Sequence, residues 1–178
     1  MSRKDEIIEK SVEIIRDDGF HAFTMEKLSL SLGIKKASLY YYFKGKDELV
    51  SSIHEYFVRE LKKKNFSFDF KKDEKLCLIS LFEHYLEIFL SPHFSSYISF
   101  LLESRSYMPS SDEILSSLFL MMESQIEVIF MHYGSRKAKE KASLLSSYLI
   151  RIISDMIISE KEAEMEKIES TISLLSSH

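Results

Sequence analysis

The sequence predicts an all-α fold on three grounds. Glycine (4) and proline (2) are scarce among 178 residues, which favours long helices over tight turns. The breakers stand at Gly19, Gly33, Gly45, Pro92, Pro109 and Gly134, and between them apolar residues recur at helical spacing. No stretch alternates apolar and polar residues as a half-buried strand does. Hydrophobic residues at 45% and charged ones at 29% give the balance of a globular chain rather than a disordered one.

A first helix is expected from Arg3 to Asp17, with Ser2 and Asp5 in a capping box. Ile8, Val12 and Ile15 form its apolar stripe, and Gly19 ends it. Thr24 caps a short second helix carrying Met25, Leu28 and Leu32. Gly33 turns the chain into a third helix over residues 35–43, and Gly45 caps a fourth that opens with Lys46. The segment "KKKNFSFDFKKDE" (62–74) breaks the period and reads as a linker. This divides the chain into a helix-turn-helix domain (1–64, with the fourth helix as connector) and a second helical domain (65–178). Residues 74–91 are apolar almost all round, as in a central helix. Pro92 and Pro109 bracket another helix, and Ser110 with Glu113 read as the capping box of a long one ending near Tyr133. A penultimate helix runs over 136–158. Ser159 and Glu162 cap the last, giving about nine in all.

The net charge of −4 is unevenly spread. Residues 1–64 carry 13 Lys/Arg against 11 Asp/Glu, and residues 65–178 carry 11 against 17. An anionic partner at the N-terminal end fits this asymmetry. The single cysteine, Cys77, has no disulfide partner in the chain and reads as a small buried hydrophobe in a reducing compartment. No apolar run approaches the roughly 18 residues that a membrane span needs. The N-terminus "MSRKDEIIEK" is charged and amphipathic rather than signal-like, so a cytoplasmic location without membrane association is expected.

Residues 35–46 contain four lysines, no acid, and the run Tyr40–Tyr41–Tyr42. On a helical wheel Leu39 and Phe43 face inward, while Ala37 and Tyr41 point away, flanked by Ser38 and Tyr40. Lys35 and Lys36 stand at the N-terminal end. A major groove admits such a helix and meets its N-terminal residues first. Tyr hydroxyls and Lys ammoniums donate to phosphates. Lys46 and Thr24, at the starts of the fourth and second helices, add anion-binding positions. The expected DNA contacts are therefore Thr24, Lys35, Lys36, Ala37, Ser38, Tyr40, Tyr41, Tyr42 and Lys46.

Thr24, Gly33, "LYYYF" (39–43), Lys46 and "DEL" (47–49), with "GF" at 19–20, resemble the N-terminal DNA-binding domain of TetR-family transcriptional regulators over residues 3–60. Four positions depart from the pattern. Ser29 and Leu32 replace alanines, Lys35 replaces a small N-cap, and Tyr42 stands where His is common. The resemblance implies a homodimeric repressor that binds a near-palindromic operator in duplex DNA and is released by a small-molecule effector. A helix-turn-helix protein that organises DNA without an effector is one alternative, and an all-helical enzyme with a dispersed active site is the other.

Beyond residue 65 no motif of that family is visible. A hydrophobic effector pocket would draw its walls from Tyr85, Phe89, Phe100, Phe119, Met121 and Met122, with His84 or Tyr97 as a polar handle. The penultimate helix is apolar on more than one face, and a dimer interface is expected from Leu145, Tyr148, Leu149, Ile152 and Met156. The final helix contributes Met165, Ile168, Ile172 and Leu175. His84 and Glu87, near Glu83 and Glu123, reverse the Glu-x-x-His order of carboxylate metal bundles, so no metal site is expected. Without a Gly-rich phosphate loop, a nucleophile–base motif or a His/Cys cluster, neither enzymatic activity nor a cofactor is expected.

Overall fold

The computed structural model describes residues 2–105, 108–159 and 165–176. Among them are nine helices and no strand. These are α1 (Arg3–Asp18), α2 (Met25–Ser31), α3 (Lys36–Tyr42), α4 (Lys46–Lys63), α5 (Glu74–Leu90), α6 (Pro92–Ser104), α7 (Pro109–His132), α8 (Ala138–Ser159) and α9 (Met165–Ser176). Packing groups them into two compact units. One comprises Met1–Asn65 and Pro92–Ile114, the other Phe66–Ser91 and Leu115–His178. The chain thus crosses between units at 65/66, 91/92 and 114/115, because α6 and the first turns of α7 pack with the N-terminal helices.

Local chemistry sets most helix ends. Ser2 and Asp5 satisfy each other's backbone N–H at the start of α1, and Gly19 (φ 79) leaves it in a conformation that suits a residue without Cβ. Thr24 Oγ1 accepts from Lys27 N at 3.1 Å and starts α2. Three starts differ from the sequence expectation. Helices α6 and α7 begin on Pro92 and Pro109 themselves, since the first helical position makes no use of an N–H and suits proline's fixed φ. Ser110 consequently lies inside α7 rather than capping it. Helix α8 begins at Ala138 rather than Arg136, because Lys137 takes a left-handed φ of 56. The Ser159–Glu162 pair reaches outside the described residues.

In the first unit α1 buries Ile7, Ile8, Val12 and Ile15 and packs on α2, α4 and α6. Polar ties fix α6 there. Arg16 Nη1 donates to Ser96 Oγ at 3.2 Å, and Phe20 N donates to Glu103 Oε1 at 3.1 Å. The Glu9 carboxylate accepts from Tyr56 Oη and lies 3.2 Å from His93 Nε2. The Tyr97 ring stacks on Phe57 with centroids 4.1 Å apart, and its hydroxyl lies 3.0 Å from His54 Nδ1.

In the second unit α5 packs against α8 and α9, with Leu78, Leu81, Leu145, Leu149, Ile168 and Ile172 buried. From Phe66 onward the segment read as a linker is clasped to this unit. Phe70 stacks on His132 at 3.9 Å, Tyr133 Oη donates to the Lys72 carbonyl, and Cys77 Sγ donates to the Asp69 carbonyl at 3.1 Å. By length and composition alone α7 is apolar enough to cross a membrane, contrary to the sequence reading. Leu118, Met122, Ile126, Ile129 and Phe130 on it are buried against protein, as in a core helix.

His54 is 7% exposed, and burial lowers its pKa from 6.5 to about 4. The unfolded chain therefore binds a proton near pH 6.5 that the folded chain refuses until about 4, and stability falls as pH drops through that window. Urea unfolding at pH 7 and pH 5 should show a loss on the order of 2 kcal/mol in the native protein that His54→Leu lacks. Equal losses in both proteins would contradict this assignment.

Candidate nucleic-acid interface

Helices α2 and α3 are each seven residues long and are joined through Gly33, whose φ of 65 gives the tight reversal. Ser29 on α2 is buried, and its Oγ donates to the Glu26 carbonyl at 2.8 Å. Small size and an internal hydrogen-bond partner permit that burial. Leu39 and Phe43 anchor α3 and are 0% and 1% exposed. Helical geometry then turns the opposite side outward. Lys35, Lys36, Ala37, Ser38, Tyr40 and Tyr41 are all exposed, Tyr41 by 84%. Tyr42 is half-buried, its ring edge-on to Tyr41 at 5.1 Å. Thr24 is exposed at the start of α2.

The face is cationic because residues 35–46 carry four lysines and no acid. Glu48 accepts from Lys44 N at 2.7 Å, and Asp18 pairs with Lys27 at 2.8 Å. Glu26 approaches Lys36 only to 3.9 Å across an exposed surface, a weak pairing. Lys35 and Lys36 therefore stand available to an anion. The 75% exposure of Leu30 on α2 was not foreseen. Helical spacing sets it on the side opposite buried Met25 and Leu28.

Lys46 departs from the expectation. Its Nζ donates to the carbonyls of Phe20 (2.9 Å) and Phe23 (3.1 Å) and lies 3.8 Å from the Phe20 ring centroid. Burial lowers its pKa, opposed by Asp47. It ties the start of α4 to the loop that leads into α2, so its ammonium is engaged within the fold rather than offered to phosphate.

The other candidates divide between the units. Tyr97 and Phe100 belong to the first, where Phe100 lies against the His54 and Phe20 rings. His84, Tyr85, Phe89, Phe119, Met121 and Met122 belong to the second. There Tyr85 Oη donates to Gln125 Oε1 at 2.7 Å and its ring stacks on Phe89. Met122 is fully buried, while His84, Phe119 and Met121 are half-buried. Of the expected dimer residues, Leu145, Leu149, Ile168 and Ile172 are 0% exposed within the single chain, which corrects their assignment to an interface. Tyr148, Ile152, Met156, Met165 and Leu175 keep half-exposed surface, beside exposed Leu144 and Leu174.

Replacing Lys46 with Ala should lower stability by about 1–3 kcal/mol, the scale of hydrogen bonds made by a charged group. Thermal unfolding followed by circular dichroism reads this as a reduced Tm. An unchanged Tm would show that its carbonyl bonds contribute nothing to the fold.

Comparison with known proteins bears on this face directly. Residues 7–53 match the family described as bacterial regulatory proteins, tetR family. An uncharacterized HTH-type transcriptional regulator, YvaF of Bacillus subtilis, is 36% identical over 81 residues, covering 42% of each chain. The biofilm operon icaADBC HTH-type negative transcriptional regulator IcaR of Staphylococcus epidermidis is 36% identical over 59 residues, 31% of this chain and 32% of that one. The matched stretch thus spans less than half the length of either relative. A putative TetR-family transcriptional regulator from Rhodococcus sp. shares the fold, with a TM-score of 0.73 at 18% identity over 98% of this chain and 99% of that one. Residues 7–53 thus match the N-terminal DNA-binding domain of the tetR family of bacterial regulatory proteins, and the chain as a whole shares the fold of a solved structure described as a putative TetR-family regulator.

Proposed function

We propose that the protein is a homodimeric transcriptional repressor that binds a near-palindromic operator in cytoplasmic duplex DNA and releases it on taking up a hydrophobic small molecule. The observation that carries the DNA reading is the exposed outer face of α3. Tyr41, 84% exposed beside Tyr40, Ala37 and two lysines, has no core to enter and a shape that a major groove accepts. Lys35, Lys36 and the tyrosine hydroxyls hold phosphates, while Ala37 and Tyr41 approach base edges. Thr24, Ser38 and the half-buried Tyr42 complete the interface.

A second copy supplies the symmetry that an operator of two half-sites requires. Leu144 (64% exposed) and Leu174 (75%) stand with half-exposed Tyr148, Ile152, Met156, Met165 and Leu175 on α8 and α9. Apolar surface of this kind favours burial against a partner. The two α3 helices then meet half-sites one turn apart, about 34–36 Å.

Effector release is supported by the place of α6. Tyr97 and Phe100 on it touch Phe57 and His54 of α4 and, through Phe100, the Phe20 ring of the loop before α2. A ligand that favours another position of α6 therefore biases the elements holding α3. Within the second unit Tyr85, Phe89, Phe119, Met121 and Met122 are side chains that suit an apolar ligand, and the coupling of its binding to DNA binding should be about 1–3 kcal/mol.

Selection from a random duplex library, repeated with Tyr41→Ala and Ala37→Ser, should return different preferred sequences for the native protein and each variant. Lys35→Ala should weaken binding to all sequences alike. Identical preferences for all of these proteins would remove α3 as the reading element. Leu144→Glu should convert the dimer to a folded monomer by light scattering and abolish binding to two-half-site DNA at matched concentration. A variant that stays dimeric would exclude this face of α8. Release of operator DNA by a panel of apolar metabolites tests the effector, and insensitivity to all of them would leave a constitutive DNA-binding protein.

A further inference from the structure

Lys46 is turned inward, so other cations must meet phosphates at the C-terminal end of α3. That end is where a phosphate is hardest to hold, because the last carbonyls of a helix carry partial negative charge. Two exposed lysines stand there. Lys44 follows Phe43, the C-cap of α3, directly. Lys4 comes from another element, the first turn of α1, with its Nζ 5.1 Å from the Phe43 ring centroid.

We infer that Lys4 is a phosphate-binding residue of the DNA interface, clamping the backbone at the C-terminal end of α3 together with Lys44. This rests on the reading that α3 enters duplex DNA. The Phe43 ring beneath Lys4 is 1% exposed and held in the core. The ring face attracts the Lys4 ammonium, and Lys4 itself stays exposed, so its donors remain open to the outside. Neighbouring acids do not claim the charge. Asp5 accepts from Ser2 N and Arg59 Nη2, and Glu6 pairs with Arg3 at 2.7 Å. Seven residues make α3 about 10 Å long, close to the roughly 12 Å width of a major groove. Lys35 and Lys36 at one end and Lys4 and Lys44 at the other thus stand where cations meet both walls of that groove.

The test is the salt dependence of binding to a fluorescein-labelled duplex of mixed sequence, read by anisotropy between about 50 and 200 mM NaCl. Phosphate contacts appear in the slope of log K against log salt whether or not the operator is known. Lys4→Ala should reduce the slope by about 0.9, the loss of one phosphate contact. Lys4→Arg should restore it, and the Tm should stay at the native value in both. Lys62→Ala should leave the slope unchanged. Lys62 lies in the last turn of α4, about 24 Å along the helix from Lys46. A native slope and affinity in Lys4→Ala, with Lys35→Ala reduced, would overturn the inference while leaving the DNA reading intact. Salt-independent or absent binding by the native protein would instead overturn the DNA reading, and this inference with it.

Discussion

A seven-residue helix cannot hold itself in water, because nucleation fixes several residues for each hydrogen bond gained. Helix α3 buries one residue completely, Leu39, and rests on Phe43 at its cap. Everything else about its position is borrowed from the helices around those two anchors. The same scarcity of inward residues turns Ala37, Ser38, Tyr40 and Tyr41 outward together. Anchoring and exposure are two consequences of one short amphipathic turn.

The neighbours of α3 are held by polar ties from distant sequence. Lys46 satisfies the Phe20 and Phe23 carbonyls in the loop before α2, and Glu103 of α6 accepts from the Phe20 N–H of that loop. These ties join α6 to the loop before α2 and that loop to the start of α4. Buried His54, paired through Nδ1 with Tyr97, makes the α4–α6 packing sensitive to acid as well.

Local features were legible in the sequence. The Ser2–Asp5 box, the Thr24 cap and the Gly33 turn each rest on residues a few positions apart, and Leu39, Phe43 and Tyr41 follow from helical period alone. Lys46 misled because its partners are backbone carbonyls, which no side-chain pattern displays. Tyr97 and Phe100 show another limit of the sequence. Aromatic spacing marks an apolar face but not which helix covers it, and here α4 does. On α8 the stripe through Leu145 and Leu149 and the neighbouring Leu144 and Tyr148 are both apolar, so periodicity alone did not tell core from surface. Lys4 was invisible because its tie to Phe43 joins the first turn of the chain to the end of α3.

Amide hydrogen exchange across the whole chain, with and without duplex DNA that the protein binds, probes the interface most directly. Burial of the outer face of α3 in a major groove predicts slowed exchange at residues 35–43 and at the start of α2, and little change in the last turns of α4. Protection confined to α7, α8 and α9, with residues 35–43 exchanging as in the free protein, would contradict the assignment of α3 as the DNA-reading element.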